Sequence, residues 1–267
     1  MGVARSGTDD HRTPGAGAVK SADRLMTLFE HLADVGEAPF VAITAALSIP
    51  NSSAYQLLQT ACRRGFVDFD ETTRCYRLGL RIWEVAQSFG GNADLPGTAQ
   101  PLMDALSQET GETVQLAGLD GVENVYLAIA ESSQPMKLVS TVGARLPAHT
   151  TGVGKVLLAG LSDDELAERF RGLVLERFTR NTLGSLPELL SEVRRIRKQG
   201  FGEDNEEYVV GCRCIAMPVH RTDGRPLAAI SVSIPTPRFN RTVARDVRLA
   251  LTRTVTELER LLGTTAG

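Results

Sequence analysis

The sequence predicts an α+β protein: an N-terminal winged helix-turn-helix, a linker helix, and a C-terminal mixed domain with a largely antiparallel sheet. Three observations predict it. Apolar residues recur at helical spacing in three short segments between Ser21 and Gly65, and two strand patterns then flank the turn Asp70-Glu71-Thr72-Thr73. Beyond Gln100, strand pairs joined by turn residues are mixed with capped helices.

Residues 1–18 contain no apolar stretch and are expected to be a disordered tail, without the core of a signal peptide. Ser21 is the expected cap of a first helix whose Leu25, Leu28, Phe29 and Leu32 share one face, and Gly36 with Pro39 ends it. Phe40 to Leu47 forms a second helix. Ser48-Ile49-Pro50-Asn51 is a tight turn with a capping residue, and Ala54, Leu57, Leu58 and Ala61 line the inner face of a third helix that closes at Gly65. Its opposite face is polar, with Ser52, Gln56, Gln59, Thr60 and Arg63. Phe66–Phe69 and Arg74–Leu78 then pair as a hairpin. These segments delimit a winged helix-turn-helix domain at 19–79, a candidate for DNA binding, followed by a helix from Leu80 to Phe89 and a Gly-, Asn- and Pro-containing linker, together 80–97.

The remainder, 98–267, is expected to start with a helix from Gln100 to Glu109. Strands over Val114–Leu119 and Asn124–Ala130 meet at Asp120-Gly121, and a third strand is expected at Lys137–Val142. Ser162-x-x-Glu165 and Ser185-x-x-Glu188 open helices as capping boxes. Strands over Cys214–Val219 and Leu227–Ile234 and a helix from Arg241 to Leu262 complete the chain.

Composition excludes several classes. With 42% hydrophobic and 23% charged residues the chain reads as globular, and its apolar runs are too short to span a bilayer. Four cysteines without a framework spacing point to a reduced, cytoplasmic protein. The net charge of −3 argues against a generally basic coat for nucleic acid, and between Lys20 and Gly90 seven Lys or Arg face eight Asp or Glu. DNA binding must then come from placement: Arg63 and Arg64 end the third helix, and Arg74 and Arg77 lie in the hairpin where a wing meets phosphate. The same module also serves as a protein docking surface, so a small-molecule sensor acting through a protein partner is the alternative.

Thr151-Gly152-Val153-Gly154-Lys155 has the look of a nucleotide loop but lacks its defining positions: His149 stands where a P-loop needs glycine, and Leu157 where the dinucleotide fingerprint needs its third. A glycine turn into a helix fits it better. Asp204, Glu206, Glu207, Cys212, Cys214, His149 and His220 show no metal-ligand spacing, and no serine elbow or His-Glu-x-x-His is present. No catalytic residue, cofactor or metal is expected.

Four stretches together resemble the IclR family of bacterial transcription regulators from about Val19 to Leu262. They are Ile49–Thr60, Gly143–Ala159, Gly200–Glu207 with Gly211–Ala216, and Ala228–Ser233. The resemblance implies a cytoplasmic homodimer or dimer of dimers that binds double-stranded operator DNA and a small-molecule effector, with repression the expected sign. Carried over by position, it implies an effector site at Gly152, Val153, Asp204, Cys214, Ser231 and Ser233, with Met136 and Leu138 as a wall. Ser231 and Ser233 are two apart on a strand, so both hydroxyls face one way, as a carboxylate site requires. The expected DNA-reading residues are Ser52, Ser53, Tyr55, Gln56 and Thr60, with Arg63 and Arg74. The family often has Arg where Gln56 stands; Gln favours adenine or a phosphate contact, which leaves the operator sequence open.

Overall fold

The computed structural model describes residues 19–86 and 94–264; the expected tail, Phe89 and most of the linker lie outside the described residues. The chain forms two compact units, one ending at Asn92 and the other continuing from Ala93.

The N-terminal unit contains α1 (Lys20–Val35), β1 (Glu37–Pro39), α2 (Phe40–Leu47), α3 (Asn51–Arg63), β2 (Val67–Asp70), β3 (Cys75–Leu78) and α4 (Leu80–Ala86). Leu28, Leu32, Ile43, Leu58, Ala61 and Val67 bury their side chains together, which is the face that periodicity selects on α1 and α3. Two caps differ from expectation. α1 starts one residue before Ser21, on Val19, without a side-chain cap. α3 starts behind Pro50, again without one, while Ser48 takes the left-handed conformation that ends α2. At α3 the ring of Pro50 fixes the entry angle, so the side-chain cap is dispensable there. A third strand, β1, joins the hairpin: β1 and β2 flank β3, antiparallel on both sides. The sequence reading has Gly36 with Pro39 end α1 and places no strand at Glu37–Pro39; as an edge strand it tolerates the proline.

The second unit comprises α5 (Leu95–Thr110), β4 (Thr113–Asp120), β5 (Glu123–Ala130), β6 (Arg145–Pro147), α6 (Gly152–Leu158), α7 (Asp163–Arg169), α8 (Leu186–Gln199), β7 (Gly202–Asn205), β8 (Cys212–His220), β9 (Pro226–Pro235) and α9 (Arg241–Leu261). Its six strands run in the order β6-β5-β4-β9-β8-β7, every pairing antiparallel. α5 begins five residues before Gln100, within the stretch read as linker, because Asp94 caps it by accepting from the Gly97 N–H and Pro96 falls in its first turn. The strand expected at Lys137–Val142 does not form. β6 occupies the free edge of β5, and residues 132–143 instead cross the sheet, held by side chains. Ser162 and Glu165 make the full capping box; Ser185 accepts from the Glu188 N–H, but the Glu188 carboxylate turns to the Gly184 N–H.

Alternation along the strands divides the sheet. Val114, Leu116, Ile230, Val232 and Ile234 face α5 and α9 in one core, with Met103, Leu106, Val247 and Leu251. The opposite face packs Ala117, Tyr126, Ala216 and Ala229 against Val153, Val156 and Leu157 of α6. α6 sits so close to the preceding turn that a Cβ on Gly154 would clash with the Ala148 carbonyl oxygen, which accounts for the second glycine of Gly-x-Gly-Lys.

Candidate functional site

On α3 the residues expected to read DNA lie outward. Ser52, Tyr55, Gln56, Thr60 and Arg63 are exposed, Ser53 is half-buried, and Ala54, Leu58 and Ala61 point into the core. Thr60 donates its hydroxyl hydrogen to the Gln56 carbonyl at 2.8 Å, so toward DNA it offers only an acceptor. Arg74 has a left-handed backbone (φ 58) at the end of the wing turn, and its guanidinium lies 5.2 Å from the centre of the Phe69 ring. Asp70 stiffens that turn by accepting the N–H groups of Thr72 and Thr73.

In the second unit, strand register lines up a polar row on the α6 face of the sheet. Asp204 stands opposite Cys214, Cys214 opposite Ser233, and Ser233 opposite Thr113, across β7, β8, β9 and β4. A second row sets Gly202, Ala216, Ser231 and Gln115 side by side. Gly152 closes over both: a Cβ there would lie 3.4 Å from the Cβ of Ala216 and 3.5 Å from that of Cys214. The structure therefore brings together Gly152, Asp204, Cys214, Ser231 and Ser233, with Val153 buried among the apolar residues beside them.

The cluster is densely hydrogen-bonded. Ser231 and Ser233 both donate to Gln115 Oε1, at 3.1 and 3.0 Å, and Cys214 Sγ lies 3.1 Å from Ser233 Oγ. Gln115 Nε2 donates to Ser140 Oγ at 3.3 Å and Thr113 to the Leu138 carbonyl, so 132–143 forms a cover. Arg238 pins that cover by donating to the Met136 carbonyl at 2.8 Å while its fork grips Glu112. Leu138 thus lies over the cluster, whereas the side chain of Met136 is 60% exposed.

Burial governs the electrostatics. It pushes the Asp204 carboxyl up to about 7, against the pull of the Glu207 N–H that it accepts at 2.6 Å. The neighbouring Cys212 thiol, then burial, raise Cys214, and Tyr126 is raised chiefly by burial. Lys155, 1% exposed, is bound to Glu207 at 2.5 Å, and Glu192 lies 3.9 Å away. Sequence reasoning missed Gln115, Thr113 and this Lys155–Glu207 pair. The available signal was a polar residue at every second position of an otherwise apolar strand, Thr113-Val114-Gln115-Leu116.

An exposed polar reading helix with a wing, together with a separate domain holding a buried polar cluster under a covering segment, defines a DNA-binding regulator with a sensor domain. Residues 21–71 match the IclR helix-turn-helix domain, and residues 88–260 match the bacterial transcriptional regulator IclR C-terminal domain. The chain belongs to the IclR family and is a transcriptional regulator. It is 32% identical to the HTH-type transcriptional repressor AllR of Salmonella typhi, over 93% of this chain and 96% of that one. Among solved structures it resembles a transcriptional regulator, RHA06195, from Rhodococcus sp. RHA1, with TM-score 0.76 and 29% identity over 92% of this chain and 99% of that one. The inducer-binding domain of PobR from Acinetobacter, a double mutant solved with 3-hydroxybenzoic acid, matches with TM-score 0.59 and 32% identity, over 63% of this chain and 99% of that one. Among the described residues, no helix is long and apolar enough to cross a membrane.

Proposed function

We propose that this protein represses a catabolic or transport operon and is released from its operator by a small organic carboxylate bound at Gly152, Asp204, Cys214, Ser231 and Ser233. The observation that carries the reading is the buried polar row itself: a core that gathers a carboxyl, a thiol, two hydroxyls and an amide on one face has forgone apolar packing there for recognition. The name of the AllR repressor supports the sign, and the hydroxybenzoic acid held by the PobR domain supports the ligand class. The effector acts through its different affinities for the DNA-competent and released states. Footprinting on the DNA upstream of its own gene, with and without a panel of aliphatic and aromatic carboxylates, tests this. Protection that no carboxylate relieves contradicts the release, and absence of protection favours a protein partner.

A dimer or dimer of dimers is part of the proposal. α4 leaves Leu80, Trp83 and Val85 exposed, too apolar a face for an isolated helix, and a second copy supplies the second half-site reader. Sedimentation at micromolar concentration should show at least a dimer; a monomer with full operator affinity would contradict it.

Base and phosphate contacts separate experimentally. Gln56→Ala should cost about 1–3 kcal/mol on the operator and much less on random DNA if the amide reads a base. Arg74→Ala should weaken binding to every sequence and reduce the salt slope by about one. Equal losses of Gln56→Ala on both DNAs, or an unchanged slope for Arg74→Ala, would remove that residue from its role.

A further inference from the structure

Gln115 is fully buried in the middle of β4, and its amide is used at both ends. The carbonyl oxygen accepts the hydroxyl hydrogens of Ser231 and Ser233, while the amide nitrogen donates to Ser140 in the covering segment. A serine has a single hydrogen to give. Once Ser233 gives it to Gln115, the Cys214 thiol 3.1 Å away must be the donor in that contact, and the neighbouring Cys212 thiol, then burial, keep it protonated as this needs. The chain of bonds therefore has a direction: Cys214 to Ser233 to Gln115, with Ser231 joining at the same oxygen. Both serine oxygens keep only acceptor capacity for a ligand.

We propose that Gln115 is a specificity-determining residue of the effector pocket: by holding the Ser231 and Ser233 hydrogens it makes both oxygens acceptors, so the pocket selects a hydroxylated carboxylate over a plain one. The inference rests on the effector site proposed above and narrows its ligand class. A ligand hydroxyl donates to the serine oxygens; a bare carboxylate placed there meets two acceptors and no hydrogen. Lys155, the ammonium that faces Asp204, does not compensate, because it is bound to Glu207, with Glu192 behind it. The ligand carboxylate belongs at the Asp204 end of the row, where the acid form of that side chain can donate.

The test uses the full-length protein and matched probes: 3-hydroxybenzoate against benzoate, and lactate against propionate. In calorimetry the wild type should bind the hydroxylated member about tenfold more tightly, the worth of one well-placed hydrogen bond against an unmatched acceptor. Gln115→Met, similar in length but without the amide, frees both serine hydrogens, and the ratio should fall to about one or invert. A residue that only supports the fold would weaken both members alike. An unchanged ratio in a Gln115→Met protein that still binds overturns the proposal but leaves the site intact. If Asp204→Asn and Ser231→Ala bind every probe as the wild type does, the site is wrong and both proposals fall. Neutron diffraction from deuterated crystals decides the hydrogen positions whichever probe binds. Deuterons of Ser231 and Ser233 directed at Gln115 Oε1 are expected, and deuterons directed elsewhere overturn it.

Discussion

Lys155→Met is expected to destabilise the C-terminal domain by about 3–5 kcal/mol, because it leaves a buried carboxylate without its cation. Glu207 keeps an Asn205 N–H at 3.3 Å on one oxygen, but its other oxygen is buried without a partner. Burial already holds its carboxyl above the usual range, with the ammonium opposing; removing the ammonium raises it further. The deficit of the variant should therefore shrink as the pH falls through the raised Glu207 titration, where the carboxylate takes up a proton, and grow as the pH rises above it. Adding Glu207→Gln should recover much of the loss, since the amide keeps an oxygen for Asn205 and carries no charge. Urea unfolding followed by circular dichroism at fixed protein concentration measures this. Trp83, the single tryptophan, lies in the N-terminal unit, so its fluorescence follows that unit separately. A Lys155→Met protein as stable as wild type would show the pair to be dispensable.

That pair also shows what a sequence can and cannot disclose. Gly152-Val153-Gly154-Lys155 reads as an imperfect phosphate loop on spacing alone, whereas in the fold its second glycine is a packing requirement and its lysine a buried counter-ion. α3 is legible because a helix shows its buried stripe as a period: Ala54, Leu58 and Ala61 inside, Gln56 and Thr60 outside. The wing hairpin is legible from its turn residues, but β1 is too short for any period and owes its existence to pairing with β3. Leu138, Val139 and Val142 suggest a strand, yet the segment covers the polar row and leaves Val139 and Val142 exposed. Local pattern reports burial and not partner. Asp204, Cys214, Ser231 and Ser233 follow only from the family resemblance, since nothing local marks a serine as facing a thiol on the next strand. Gln115 has the alternation of an outward polar residue on a half-exposed sheet, and only α6 and the cover make its side of β4 an interior.

Asp204→Asn should stabilise the ligand-free protein at pH 8 by up to about 4 kcal/mol, an effect opposite in sign to most substitutions of a buried polar residue. A carboxyl that titrates at about 7 in the native state and at 3.8 when unfolded binds its proton more tightly when folded. Its contribution is fully present below about pH 4, declines as pH rises toward 7, and is absent above, where the native state holds a buried anion. The causes are burial first and then the nearby Glu207 carboxylate, with the Glu207 N–H and Lys155 only partly offsetting them. Asparagine keeps an oxygen for the Glu207 N–H at that position and removes the charge, so the variant and the wild type should differ little near pH 4 and diverge steadily to pH 7. The difference between the two curves isolates Asp204 from other titrating groups, provided protein concentration is held constant for an oligomer. Such a built-in penalty is what a recognition group leaves in a core: a carboxyl with no ligand beside it costs stability that an amide would restore, and the same exchange should weaken effector binding. Equal stabilities at pH 8, or a variant that is less stable at every pH, would mean that Asp204 is an ordinary structural carboxylate and would return the polar row to a role in packing.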